Sequence, residues 1–355
     1  MAYQAIHPSG GIHDKLTSRE LQYVFGVEEK SQVPDYQLIK AEKYRKEDGG
    51  LRIRFSAWNE EFVLDLQPNR KLISPHIGTV SSHGMQPVAI SDCRSLMGTL
   101  VMDDHFLVLQ TVPQRIRHHN PEQHLVFKRS ASLLTSFEQN IEEEIIHLND
   151  IQESFCDTSD NMDDRAIGNI RSLNYSIPSS AKLDSLFVFP NMDPITLEIG
   201  LFLDSKLFEH FQREYIQDAE QHLLDFSLAL INNVHVLYQQ PSLSPNLEIV
   251  IVRYEMWKSQ PSNLATFVHK NGQAQSLLDA FCRHQAHINP GTDLTDMGHW
   301  DHGVLLTGYD IYHTTASVAG VAPVARMCDQ LFACSLVEGL HLGRSFVLAH
   351  EMGHK

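Results

Sequence analysis

Between residues 38 and 130 the chain alternates or runs apolar in short stretches, RIRFSAW, EFVLDLQ, QPVAISD and HFLVLQTV, separated by turn formers such as Asp48, Gly49 and Gly50 or Pro68 and Asn69. A period of two with turns between is the pattern of half-buried strands, so this part predicts a β-rich domain. From about 135 to 182 the pattern dissolves into polar residues that end in Pro178, Ser179 and Ser180, which predicts a linker. Beyond it the periodicity changes from element to element. ITLEIGLFL (195–203), LEIVIVRY (247–254) and GVLLTGY (303–309) read as strands; Phe208 to Tyr238, Gln273 to His287, and His341 to the end read as helices. Alternating strands and helices predict an α/β layered domain with a central, mostly parallel sheet and flanking helices. The expected organisation is a β-rich domain over 1–134, a linker over 135–181 and an α/β domain over 182–355.

Composition agrees with two globular domains. Hydrophobic residues make up 42% and charged residues 20% of 355, enough for each domain to bury a core. The formal charge is -16, from 44 acidic and 28 basic residues, which gives no electrostatic footing to nucleic acid or an anionic membrane. Part of that acidity sits in the linker, at Glu142, Glu143, Glu144, Asp157, Asp160, Asp163 and Asp164, where hydration alone explains it. No run approaches the roughly 18 apolar residues of a membrane helix. The start, MAYQAIHPSGGIHDKL, lacks the basic flank and apolar core of a signal peptide. Five cysteines, Cys93, Cys156, Cys282, Cys328 and Cys334, leave at least one unpaired.

The last helix carries the chemistry. His350-Glu351-Met352-Gly353-His354 is an HExxH, and imidazoles at i and i+4 lie one above the other on one helix face, as a tetrahedral zinc requires. The glutamate beside the first histidine can then act as general base toward water at the metal. With 21 histidines in the chain, a chance HExxH is expected about one time in ten, so the five residues alone could be a solvated helix end. Context favours the metal. The preceding SFVLA is apolar, which predicts a buried helix, and Gly353 inside that helix suggests the close approach of another segment.

FCRHQ (281–285), WDHGVLLTGYDI (300–311), AGVAPVARMCDQLFACSLVEG (319–339) and SFVLAHEMGH (345–354) resemble, in order and spacing, the catalytic domain of the ADAMTS family. These are proteins with a disintegrin-like and metalloproteinase region and thrombospondin motifs. EFVLDLQPNRKLI, GTVSSHGMQPVAISDCRSLMGTL and HLVFKR resemble that family's propeptide more loosely. The resemblance implies a metzincin fold of the reprolysin type behind a β-rich propeptide, with zinc on His350 and His354 and Glu351 as base. It also implies structural calcium on hard carboxylates, which by position are Glu198, Asp293, Asp310 and Glu338, each of which could equally be an ordinary surface acid. It pairs Cys282 with Cys334 and sends Cys328 to a partner past the zinc site. Cys156 is a candidate for the thiol that caps zinc in latent enzymes, beside the alternative of an ordinary free or paired thiol.

The resemblance therefore implies a secreted, zinc-dependent metalloendopeptidase acting on extracellular matrix or other secreted proteins. Asn174-Tyr175-Ser176, a glycosylation sequon, agrees with secretion. No RxxR lies between 130 and 182 as an activation site, Lys128-Arg129 and Arg171 being weak substitutes. The family's third zinc histidine, the last of HExxHxxGxxH, is not found after His354, where only Lys355 follows. The chain as given is accordingly expected to hold zinc weakly and to be inactive. The alternative function is a non-catalytic pseudoprotease or binding fragment that keeps the fold.

Overall fold

Alternation becomes a rolled sheet in the N-terminal half. The computed structural model describes residues 11–354 apart from 70–71, 73–76, 81–87, 92–95, 103–104, 118–122, 131–194, 241–242, 244–246, 291–298 and 314–315. Nine strands, β1 (Tyr36–Lys40), β2 (Glu42–Arg45), β3 (Leu51–Ala57), β4 (Glu60–Pro68), β5 (Ile77–Val80), β6 (Val88–Ser91), β7 (Met97–Val101), β8 (His105–Thr111) and β9 (Gln123–Ser130), form one antiparallel sheet. From β2 to β9 sequence neighbours are sheet neighbours, and β1 joins β9. In β3 the inward Leu51, Ile53, Phe55 and Ala57 alternate with exposed Arg52, Arg54 and Ser56, so the period of two seen in the sequence is a period of burial. Ile39, Phe55, Leu107, Leu109 and Val126 share one cluster, so strands from both ends of the order enclose a common core. The Trp58 indole closes the roll by donating to Asp35 at 2.7 Å.

A short helix missed by the sequence reading, α1 (Ser18–Phe25), lies on the outer face of this sheet. Thr17 and Glu20 form a capping box at its start, and Gly26, at φ 65°, ends it. Phe25 packs on Phe127 of β9 with ring centroids 5.2 Å apart.

The C-terminal half is the expected α/β domain. β10 (Ile195–Leu203), β11 (Leu247–Met256), β12 (His302–Thr307) and β16 (Cys334–Glu338) are parallel, in the order β11-β10-β12-β16, and β15 (Gly320–Val321) adds an antiparallel strand beside β16. β13 (Tyr312–His313) and β14 (Ala316–Ser317) make a separate hairpin. The long helix expected from 208 to 238 is two helices, α2 (Ser205–Glu214) and α3 (Ala219–Leu237). The break falls where Asp218 takes a left-handed backbone, φ 63°, which an α-helix cannot include. Asp204 fixes the start of α2, its carboxylate accepting from the Leu207 and Gly308 amides at 2.7 and 3.0 Å and from the Thr307 hydroxyl at 2.5 Å. Burial pushes this acid up to about 6 despite those donors.

Helix α4 (Ala274–Ile288) covers one face of the parallel sheet, where Phe281, Leu277 and Trp300 pack on Phe202, Leu305 and Leu336. Cys282 of α4 is joined to Cys334 of β16 by the expected disulfide. The opposite face carries α2, α3 and the last helix, α5 (Arg344–Gly353), and outside these lies the N-terminal domain. Tyr23 of α1 packs against Phe211, Tyr215 and Phe226. The Asn69 amide donates to Asn232 at 3.1 Å and meets His235 Nδ1 at 3.2 Å, and Asn233 donates to the Thr99 hydroxyl at 3.0 Å. Phe106 of β8 touches Phe346 of α5, centroids 4.5 Å apart.

Candidate metal centre

Helix α5 is held by its apolar stripe. Leu348 and Met352, four residues apart, are buried in the core shared with α3. That rotation leaves His350 exposed, His354 half-buried and Glu351 fully enclosed, at 0% exposure. The two imidazole Nε2 atoms lie 3.1 Å apart. Zinc–nitrogen bonds of about 2.0–2.1 Å in a tetrahedron put two ligand nitrogens about 3.3 Å apart, so the pair fits one zinc with little movement. The ligand atoms of His350, Glu351 and His354 lie within 4.8 Å of one another, and no other such group occurs among the described residues.

The surroundings fix this helix from four sides. Above it runs β15, where a Cβ on Gly320 would stand 2.8 Å from Val347 Cγ1 and 3.0 Å from Glu351 Cγ, so glycine is what lets the strand pass over the buried glutamate. From α3 the Tyr238 hydroxyl donates to the Ala349 carbonyl at 2.7 Å. At the C-terminal end the Ala325 amide donates to the His354 carbonyl at 2.8 Å. At the N-terminal end Arg344 pairs with Glu338 of β16, which also accepts from the Ile311 amide at 3.0 Å. Burial pushes Glu338 up to about 7 even against that arginine. His341, just before α5, is held well below its usual range by burial and by the positive charges of Arg344 and, from β9, Arg129.

The zinc residues expected from the sequence are thus brought together, and the described calcium candidates fall at two levels of the sheet. Asp310 and Glu338 are neighbours, but Glu338 is engaged by Arg344. Glu198 sits beside Asp301, level with the start of β12, whereas Glu338 is level with its end. Along parallel strands that separation is about 20 Å. Asp293, Cys93, Cys156, Arg171 and Asn174 lie outside the described residues. Cys328 is exposed with a free thiol. Arg129 is not an exposed processing site, because its guanidinium donates to the Phe25 carbonyl inside the fold. The close approach expected at Gly353 is loose: an added Cβ would meet the Tyr238 hydroxyl at 3.6 Å, ordinary contact. Tyr238, Arg344 and the strand character of β15 and β16 escaped the sequence reading. Only a short apolar run, SLVE, signalled any of them.

A family model described as "Reprolysin (M12B) family zinc metalloprotease" matches residues 197–355. The chain is 65% identical to the Caenorhabditis elegans protein "A disintegrin and metalloproteinase with thrombospondin motifs adt-1", over 98% of this chain and 26% of that one. It is 23% identical to human "A disintegrin and metalloproteinase with thrombospondin motifs 16", over 86% of this chain and 28% of that one. The chain therefore spans about a quarter of the length of these curated relatives. Among solved structures, metalloproteinase-II from Bacteroides fragilis aligns with 84% of this chain and 78% of its own at 10% identity and a TM-score of 0.34, too remote a likeness to carry an argument.

Proposed function

Because residues 197–355 belong to the reprolysin (M12B) family of zinc metalloproteases and the chain as a whole is of the ADAMTS type, we propose that it carries the zinc-binding helix of an endopeptidase acting on secreted or extracellular-matrix proteins. The observation that carries this reading is the convergence of the His350 and His354 Nε2 atoms, 3.1 Å apart, beside the enclosed Glu351. The two histidines would hold zinc, and family members complete the site with the third histidine of HExxHxxGxxH. Bound zinc supplies a Lewis acid that polarises the scissile carbonyl. Glu351 handles the proton, taking it from the attacking water and returning it to the leaving amine. β15, the edge strand of its sheet on the β16 side among the described residues, offers backbone groups beside which an extended substrate can lie as a further strand.

Two finer points belong to the same proposal. Calcium, if bound, takes Asp310 together with Glu338, the two carboxylates that meet. Secretion is supported by the Cys282–Cys334 disulfide, which persists in oxidising compartments, and among the described residues no helix is long and apolar enough to cross a membrane.

Zinc titration tests the site directly. In protein extended to include the family's third histidine, one zinc per chain is expected, lost in His350→Ala and in His354→Ala; binding that survives both substitutions overturns the assignment. In a peptide-cleavage assay on that extended, zinc-loaded protein, Glu351→Gln should lower the rate by at least about 100-fold.

A further inference from the structure

We infer that Tyr238 is a positioning residue of the zinc site, its phenol pinning the helical turn that presents His350 and His354 to the metal. This rests on the metalloprotease reading above. Tyr238 caps the C-terminus of α3, and its hydroxyl donates at 2.7 Å to the carbonyl of Ala349, the residue just before His350. In an α-helix that same carbonyl accepts from the amide four residues on, that of Gly353, so phenol and amide share its two lone pairs. The bond therefore bears on the one turn that separates the two ligands.

Position makes the pin count. α5 has only 10 residues and His354 is already its C-cap, so the second ligand stands where helices fray. Two hydrogen bonds from outside the helix hold this end: Tyr238 to Ala349, and the Ala325 amide to the His354 carbonyl at 2.8 Å. α3 is a 19-residue helix with buried side chains through most of its length, so the phenol is fixed to a rigid body. Burial raises Tyr238 to about 12, so it keeps its proton, and remains a donor, throughout the neutral range. A phenylalanine would fill the same space and lack only the donor.

The test compares wild type, Tyr238→Phe and Asn69→Ala, the last removing the buried contacts of Asn69 with Asn232 and His235 on the same helix α3. Zinc is titrated against a chromophoric chelator, the visible spectrum of the cobalt-substituted protein is recorded, and melting is followed. Tyr238→Phe should weaken zinc about tenfold and alter the cobalt spectrum, while Asn69→Ala lowers the melting temperature and leaves both metal readouts at wild type. Wild-type affinity and an unchanged cobalt band in Tyr238→Phe would overturn the inference. So would an equal loss in Asn69→Ala, which would mean general loosening. All three proteins are extended to include the family's third histidine; if that wild type binds no zinc, the metalloprotease reading fails, and this inference with it.

Discussion

The two faces of the parallel sheet are closed in different ways. Under α4 the contact is aromatic and aliphatic, its buried Gln285 accepts from the Trp300 indole at 2.8 Å, and a disulfide ties helix to sheet. Over α2, α3 and α5 the domain is covered a second time by the N-terminal sheet, and there α3 turns Asn232, Asn233 and His235 toward Asn69 and Thr99. Amides and imidazoles exchange a protein partner for water at little net cost, whereas Phe281 or Trp300 could not be uncovered without losing burial. The first face is a permanent core. The second combines those polar contacts with apolar ones, Tyr23 on Phe211 and Phe226, and it lies against the zinc helix through Phe106 and Phe346.

The contrast can be broken at its strongest point by replacing both Cys282 and Cys334 with alanine. The bond spans 52 residues, and its loss should lower unfolding stability by about 4 kcal/mol in denaturant titration. A loss below about 1 kcal/mol would mean that the α4 face is sealed by packing alone. On the other face, Asn69→Ala should cost about 2 kcal/mol, because Asn232 and His235 each lose a donor in a buried setting. Hydrogen exchange should show that loss as faster opening of α3, with the amides of α4 unchanged.

Acidity should separate the faces further. The docked structure holds His341 neutral between Arg129 and Arg344, so its contribution is complete above the free imidazole value of about 6.5 and is lost as pH falls below it. Asp204 and Glu338, raised to about 6 and about 7, act in the opposite sense and gain stability as pH falls. The histidine is therefore read by difference: between about pH 7.5 and 5.5 wild type should lose more melting temperature than His341→Gln. Equal losses would remove His341 from the account. The smallest effect expected is at Gly353→Ala, a gain of at most about 1 kcal/mol in unfolding stability, since the new methyl meets only the Tyr238 hydroxyl at 3.6 Å. A loss instead would show that the pin on α5 tolerates no neighbour.

What could be read from the sequence was what local pattern encodes. Leu51, Ile53 and Phe55 alternate with arginines, and ITLEIGLFL runs apolar, because each position reports which side of a sheet it faces. His350 and His354 were legible because i and i+4 meet within one helix. The break between α2 and α3 was not, since Asp218 takes a left-handed turn with neither glycine nor proline to announce it. Tyr238 lies 111 residues from the carbonyl it binds, a separation no periodicity reports. For the same reason sequence order does not tell that Glu198 and Glu338 lie level with opposite ends of β12.

The meander of the N-terminal sheet bears on the order in which the chain acquires structure. From β2 to β9 each strand pairs with its predecessor, so each step closes a short loop. The parallel sheet instead matches Ile199 with His302, a pairing that waits for about a hundred residues and the helices α2, α3 and α4 to be made. The N-terminal strands also precede α3 and β12 in the chain, so chain order and local pairing both favour the roll forming first, with Thr99 and Asn69 on the surface that α3 then meets. The slower half of the molecule is assembled against the faster one as a template.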